Sequence, residues 1–473
     1  MRHSPNVLLI NPWIVDFTAY DSWAKPIGLL TLGGILRENG YRVDLLDCMD
    51  RGFLKGCTSP AAGKPGANGT GHYHKEFIPK PPVFSSIPRR YGRYGMPKAI
   101  VRDELERRRR PDLVLLTSGM TYWYPGVVEM TSLVRSLFPG VPVVLGGIYA
   151  TLCTDHARIA SGADAVVAGE GESRILPLAD AMTGHRSAGE DYGNPDAVPF
   201  LPYDLYTRLE SAAILTSRGC PYRCPFCASH LLCSGYSRRN PIRVVDEMVS
   251  IQRTMGAGHF AFYDDALLYQ KEAHFVPLLD EWIGRRCEAF LHTPNGIHPK
   301  WVDVPLAKLM KRAGFKTVRL GYETQQPTLQ QAMGKVTDGD LVQAVSCFLE
   351  AGFTRSEIGA YVIMGLPGQT AADILDSILF VMRLGIKIGT AFFSPIPGTA
   401  SWAEAVRRGF SRDGEDPLLS NHAVFPMRSS SLDLAGFIRI GTLAAMGNRI
   451  VSLGGKPTEY PEFTKQLTRL ERA

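Results

Sequence analysis

Along most of the chain, short apolar runs alternate with longer stretches of helical spacing. Val7-Leu8-Leu9-Ile10 is a continuous apolar run that stops at Asn11-Pro12. From Pro26 to Glu38 the apolar positions have helical spacing, and the stretch stops at Asn39-Gly40. That pattern predicts a helix with its stop signal. Tyr41 to Asp47 resumes as a strand, as do Leu113 to Ser118, Val141 to Leu145 and Ala165 to Ala168, with a helix from Tyr124 to Leu137. Strands alternating with helices predict a parallel α/β sheet, so residues 1–184 are expected to form a Rossmann-like domain.

Residues 51–100 break this rhythm. Thr58-Ser59-Pro60, Gly63-Lys64-Pro65-Gly66 and Lys80-Pro81-Pro82 punctuate them, as expected of a long insertion. A Gly-, Asp- and Pro-rich linker is expected over 185–205. Beyond it the rhythm returns, with predicted strands at Ala212–Leu215, His259–Tyr263, Ala289–Thr293, Lys316–Gly321, Ile358–Met364 and Ile388–Phe393. Helical stretches such as Val244–Met255 and Leu306–Ala313 separate them. That many strand–helix repeats exceed one doubly wound half and fit a partly open (β/α)6 barrel over 206–409. Residues 410–473 are expected to be mainly helical.

Composition changes this picture little. The 473 residues are 45% hydrophobic and 21% charged, which is ordinary for a globular protein. A net charge of +6 does not by itself call for nucleic acid. The arginines at 89, 90, 93 and 107–110 read as solvated helix and loop ends, with a bound anion as the alternative. The apolar run after Met1 is too short for a secretory signal. Leu434 to Leu453 carries Arg439 and Arg449, so it reads as a packed amphipathic helix and not an integral span. A cytoplasmic location is expected. Of nine cysteines, those at 48, 57, 153, 233, 287 and 347 are scattered, which is not a disulfide framework.

The other three cysteines are clustered in Ser217-Arg218-Gly219-Cys220-Pro221-Tyr222-Arg223-Cys224-Pro225-Phe226-Cys227, directly after a predicted strand. Three thiolates on one tight loop can ligate three irons of a 4Fe–4S cubane. The fourth iron then stays open to a ligand. Structural zinc would want a fourth ligand, for which His230 is available.

This loop resembles the signature of the radical S-adenosylmethionine (radical SAM) superfamily. The resemblance implies that the open iron binds SAM, which is cleaved reductively to methionine and a 5′-deoxyadenosyl radical. It also implies that Phe226 lies near the adenine. Further segments match the family. His259 to Asp265 resembles its second strand, with Asp264 and Asp265 at the end that approaches SAM; a helix N-cap pair is the alternative. Leu320-Gly321-Tyr322-Glu323-Thr324 resembles its fourth-strand motif, with Glu323 at the acidic position, and Met333-Gly334-Lys335 follows. Gly365-Leu366-Pro367-Gly368-Gln369-Thr370 resembles its fifth-strand motif, with Gln369 where an acid is usual; Gly365 and Pro367 are expected beside the adenine. Pro395 to Thr399 resembles the end of its sixth strand.

The first domain has Gly-rich strand ends at Thr117-Ser118-Gly119, Gly146-Gly147 and Gly169-Glu170-Gly171-Glu172. Glycines let backbone approach a bulky ligand closely, and ligands of such sheets bind at these ends. No GxGxxG follows the first strand, so a dinucleotide is not favoured. The arrangement resembles the cobalamin-binding domain found upstream of many radical SAM domains. Pro26-Ile27-Gly28-Leu29, Val144 to Thr151 (Tyr149 at the usual histidine) and Val167 to Glu172 carry that likeness. The resemblance implies cobalamin contacts at Thr117, Ser118, Gly146, Gly147, Gly169, Glu170 and Gly171. The DxHxxG motif is absent, which leaves the lower face of cobalt to water, a non-ligating residue or an aromatic such as Tyr122 or Trp123.

Together these resemblances imply a cobalamin-dependent methyltransferase acting at an unactivated carbon of a small molecule or peptide, with an external donor such as flavodoxin or ferredoxin. A radical cyclase or ring-rearranging enzyme of the same build, a cobalamin-free radical enzyme, and a non-catalytic metal- or RNA-binding module are the alternatives. No second CxxC follows Cys227 and no aromatic-basic nucleic-acid motif is present, so no nucleic acid is expected. His72, His74, Tyr460 and Phe463 are candidates for shaping or closing the substrate pocket.

Overall fold

The computed structural model describes residues 4–55, 66–187, 189, 192–334, 336–424, 426–427 and 432–471. Cys57 and Lys335 lie outside them. The first sheet contains β1 (Asn6–Asn11), β2 (Arg42–Asp47), β3 (Leu113–Leu116), β4 (Val143–Leu145) and β5 (Ala165–Val166), in the order β5-β4-β3-β1-β2. All its pairings are parallel. Val7 and Leu9 face one core cluster, and Leu8 and Ile10 face the other. Helices on both sides of the sheet make each strand position apolar, which explains the unbroken hydrophobic runs. Helix α1 (Ile27–Glu38) and helix α2 (Ile175–Thr183) pack on the Val7–Leu9 face.

The second sheet has β6 (Ser211–Ile214), β7 (His259–Phe262), β8 (Phe290–His292), β9 (Phe315–Glu323), β10 (Ile358–Met364) and β11 (Lys387–Phe392) in chain order. Every pairing is parallel, and helices follow the strands as in an open barrel. Several of those helices begin on caps visible in the sequence. Thr337 with Asp340 and Thr370 with Asp373 form capping boxes, and Asn240 and Asp303 accept from backbone N–H groups of their first turns.

The edge strand β11 is covered by helix α3 (Leu434–Ser452). Asn448 accepts from Ile388 N at 2.8 Å and donates to Ile388 O at 2.7 Å. The amide side chain takes the place of one residue of a neighbouring strand and satisfies the exposed edge. Phe463, buried, packs into this helical layer and not at a barrel mouth, and Tyr460 is exposed. Among the described residues no helix is long and apolar enough to cross a membrane.

Described parts of the segments expected as linker and insertion make specific packing contacts. Leu201, Tyr203 and Tyr206 are buried in one cluster with residues of both sheets. Tyr203 Oη donates to Ala213 O at 2.7 Å, Tyr206 Oη donates to Asp47 at 2.6 Å, and Leu201 N donates to the buried Glu247 at 2.6 Å. Within the insertion, Lys75–Phe77 and Gly92–Tyr94 form a small antiparallel sheet with Ile14–Asp16. Its arginines have local partners. Arg93 bonds Glu76 and Glu129, Arg107 bonds Glu104, and Arg110 donates to Pro139 O. Arg89 and Arg90 lie over the rings of Phe17 and Phe77.

The segment before α1 reaches into the barrel. Trp23 stacks on His292 at 4.1 Å and donates from Nε1 to Asn68 O, and Tyr263 Oη donates to Ser22 O. His72 only meets the edge of Tyr20 here, and His74 lines a separate small cavity beside Cys48.

Two predictions follow from this packing. Asn448→Ala strands both Ile388 backbone groups, so its unfolding free energy by denaturant titration drops by about 2 kcal/mol. The second concerns pH. Burial, with His259 and Arg319 nearby, pushes His292 down to about 3 from 6.5. The unfolded chain therefore binds a proton that the folded one refuses, and stability declines as pH falls below about 6.5. A His292→Gln variant should show a shallower decline over the same range; an unchanged slope would refute this assignment.

Candidate active site at the facing sheet ends

Strand β6 leads into Leu215-Thr216, and Ser217–Arg218 then pairs antiparallel with Ser237–Arg238. The cysteine loop is thus closed at its stem. Gly219 lies at φ +71°, and a Cβ there would sit 1.9 Å from Gly235 O, so no other residue fits.

Asp264, just beyond β7, fixes the stem from below. Its buried carboxylate accepts from Thr216 N at 3.0 Å, Thr216 Oγ1 at 2.8 Å, and Ser217 N and Oγ at 2.6 Å each. The Thr216 hydroxyl spends its one proton on Asp264, so His274 Nε2, 2.9 Å away, donates to it. Burial pushes His274 down to about 4, which keeps the imidazole neutral.

Cys220, Cys224 and Cys227 line a cavity of about 470 Å³ together with Phe226, Asp265, Asn295, Glu323 and Tyr361. Cys227 N donates to Cys224 O at 3.0 Å. Among the described residues no three His, Cys, Asp or Glu side chains are arranged to hold a single metal ion. Glu323 reaches this cavity through a register shift between Gly321 and Glu323 and a backbone at φ +75°. A left-handed non-glycine residue at a cavity is strain of the kind found at functional sites.

A second cavity, about 260 Å³, lies between the carboxyl ends of the first sheet and the stem of the cysteine loop. Thr117, Gly146, Gly147, Gly169, Glu170 and Gly171 line it from one side, and Arg218, Cys233 and Asp265 from the other. Leu29, Leu32, Ile175 and Leu178 of α1 and α2 give it an apolar floor. Gly147, at φ +90°, would place a Cβ 2.9 Å from Ser118 O. Asp265 is common to both cavities.

Two glutamates tie the halves together across this second cavity. Glu170 accepts from Ser234 N at 3.2 Å and Ser234 Oγ at 2.8 Å, and Glu172 forms an ion pair with Arg218. The first sheet thereby grips the cysteine loop at both of its ends.

Some residues singled out from sequence lie elsewhere. Asp264 is a buried loop anchor and lines neither cavity, because all its acceptor capacity is directed at the stem. Ser118 sits behind the glycines, donating its hydroxyl to Met120 O and accepting from Ile148 N at its carbonyl. Gly365 and Pro367 line neither cavity; Gln369 staples their turn by accepting from Gly365 N at 2.8 Å. Ile363 lines the cysteine cavity in their place. Tyr122 meets His422 Nδ1 at 3.0 Å, and Trp123 donates to Asp16, both outside the second cavity. The sequence reading did not single out Arg218, Cys233, Asn295 or Tyr361. Their contacts join segments far apart in the chain, and no local pattern marks them.

The family model described as Radical SAM superfamily matches residues 214–381, and the one described as B12 binding domain matches 97–178. The chain is a B12-binding radical SAM protein. It is similar to an uncharacterized methyltransferase of Pyrococcus horikoshii, 26% identical over 335 residues, covering 63% of this chain and 70% of that one. It is also similar to the anaerobic magnesium-protoporphyrin IX monomethyl ester cyclase of Rubrivivax gelatinosus, 26% identical over 304 residues, covering 57% and 53%. The fold of this radical SAM protein matches that of the radical SAM methyltransferase TsrM of Kitasatospora setae, solved with cobalamin and a 4Fe–4S cluster. The TM-score is 0.63 at 20% identity, over 89% of this chain and 82% of that one.

Because Asp264 organises the cysteine loop, Asp264→Ala leaves four donors without their acceptor. Iron bound per chain after anaerobic reconstitution should fall by at least about half, with a loss of about 3 kcal/mol in stability. Retention of full iron loading in Asp264→Ala would show that the loop holds its shape without the anchor.

Proposed function

We infer that this chain is a cobalamin-dependent radical SAM methyltransferase acting at an unactivated carbon of a small molecule or peptide. One observation carries the reading. The cysteine cavity and the glycine-rich cavity open at the facing carboxyl ends of the two sheets and share Asp265 as a wall. When bound, the 4Fe–4S cluster with SAM supplies a 5′-deoxyadenosyl radical, and cobalamin carries the methyl group.

The chain's own residues serve this chemistry by holding and shielding. Cys220, Cys224 and Cys227 would hold three irons and leave the fourth to SAM. Phe226, packed with Ile363 and Leu366, offers an apolar face to the adenine. Glu323, turned inward by its bulge, offers a carboxylate to the amino or hydroxyl groups of SAM. Gly146, Gly147, Gly169 and Gly171 would admit the corrin, and the Leu29–Leu178 floor suits its apolar parts. The Glu170 and Glu172 contacts keep the two ligands in fixed relation and restrict water. An external one-electron donor such as flavodoxin or ferredoxin completes the system. A cytoplasmic setting suits the free thiols of the described residues.

The similarity to the Rubrivivax cyclase favours a radical cyclase as the second reading. Anaerobic reconstitution with iron and sulfide, with and without cobalamin, tests both. We expect a 4Fe–4S absorption that Cys224→Ala abolishes, and cobalamin bands retained after gel filtration that Gly147→Val removes. With methyl-labelled SAM and a substrate, label in the product supports the methyltransferase, and an unlabelled product with a new ring supports the cyclase. Absence of the cluster from the wild-type chain would overturn the proposal.

A further inference from the structure

A third cavity, of about 100 Å³, shares no lining residue with the two already described. Stretches far apart in the chain enclose it. Asp47 ends β2 and Asp50 follows it, while Glu104 and Arg108 come from the helix Lys98–Arg107 and its C-cap. Leu205, Tyr206 and Thr207, from the segment before β6, form a further wall. The carboxyl end of a parallel strand, at a seam between domains, is a usual place for a ligand in α/β folds. The volume is several times the ~10–15 Å³ that one water needs.

The charges around this cavity are unevenly satisfied. Asp47 accepts from Asn11 Nδ2 at 2.7 Å, Met49 N at 2.9 Å and Tyr206 Oη at 2.6 Å. Glu104 pairs with Arg107 at 3.0 Å. Asp50 is buried and accepts from Gly52 N at 2.8 Å, yet it forms no ion pair with any described residue. Arg108 keeps its Nε buried without a hydrogen-bond partner, and it too forms no ion pair among the described residues. Burial pushes the Asp50 carboxyl above its usual range, with Lys25 pulling it down and Asp47 pushing it up. Lys25 itself stands over the Tyr206 ring, 4.7 Å from its centre. Two opposite charges therefore face one small cavity without meeting. A buried charge left unpaired is costly. A bare cation would relieve Asp50 and leave Arg108 as it is, and an oxyanion would do the reverse. Among the described residues no three ligating side chains are grouped for a metal.

We propose that this cavity binds a small zwitterion of the α-amino-acid type, its ammonium on Asp50 and its carboxylate on Arg108. Both partners are charge-assisted, and the guanidinium fork matches a carboxylate. Leu46, Phe53, Met96 and Leu205 make the rest of the lining apolar, which suits a short aliphatic side chain. The ligand touches both the first sheet and the segment that leads into the barrel, so its binding stabilises their packing. The site stands apart from the cysteine loop and does not depend on the methyltransferase reading.

The test is equilibrium dialysis of the full-length holoprotein against radiolabelled glycine, L-alanine and L-serine, with thermal melts of the same samples. We expect saturable binding of at least one of the three at about one molecule per chain, and a raised melting temperature. Asp50→Asn and Arg108→Gln should each weaken that binding at least about tenfold, and ethylamine or acetate, which carry one charge each, should compete at least about tenfold less well than the unlabelled amino acid. Arg108 is only partly buried, so Arg108→Gln keeps the test decisive if Asp50→Asn does not fold. Absence of saturable binding by all three up to about 10 mM would overturn the proposal and leave the cavity to water. Binding within about twofold of wild type in Arg108→Gln would also overturn it, as would equal competition by ethylamine or acetate.

Discussion

The Asp264 carboxylate lies where solvent does not reach and takes four hydrogen bonds from Thr216 and Ser217. A buried anion is tolerated only when its acceptor sites are filled, and here they are filled by the stem of a single loop. The direction of dependence runs outward from that carboxylate. It fixes Thr216 and Ser217, their strand pairing with Ser237 and Arg238 closes the loop, and the closed loop presents three cysteines to one cavity. Burial pushes the Asp264 carboxyl above its usual range while the four donors pull it down. The anchor is thus held by competition between two large effects, and it is sensitive to the loss of any donor.

The relation between the two halves of the molecule depends on polar contacts placed on an apolar base. Leu201, Tyr203 and Tyr206 join residues of both sheets in one buried cluster, which makes the halves a packed pair and not beads on a string. On that base, Glu170 and Glu172 select one orientation by gripping Ser234 and Arg218. The same grip brings the carboxyl ends of both sheets to face one another. Those ends are where parallel α/β folds place their ligands. The separation of the two cavities is then set by the protein itself.

Aromatic side chains at the margins serve a different purpose. Trp23 fills space against His292 inside the barrel, and Phe226 packs with Ile363 and Leu366 at the other end. Of the two, only Phe226 lines the cysteine cavity. Gln369 shows how a change in chemistry can keep a shape. Its amide oxygen accepts from Gly365 N and Leu366 N, a task that a carboxylate would perform equally well, so the turn persists without the charge.

The strands, the cysteine loop and the glycine-rich sheet ends were legible in the sequence because each is set by local pattern. Buried parallel strands need apolar runs, Gly219 and Gly147 need left-handed backbone, and three thiolates on one loop need close spacing. The roles of Asp264, Ser118, Gly365 and Pro367 were not legible. Whether a polar residue at a strand end faces a cavity or supports a neighbouring loop depends on which remote donors surround it. Arg218, Tyr361 and Asn295 reached the sites for the same reason, through partners tens of residues away. Tertiary structure also packed the end of the supposed linker against both sheets, since burial of Tyr203 and Tyr206 outweighs the breaking effect of Pro199 and Pro202 before them. What the chain encodes locally is its elements and its cysteine loop; the alignment of two cavities across Asp265 exists only once the sheets have packed.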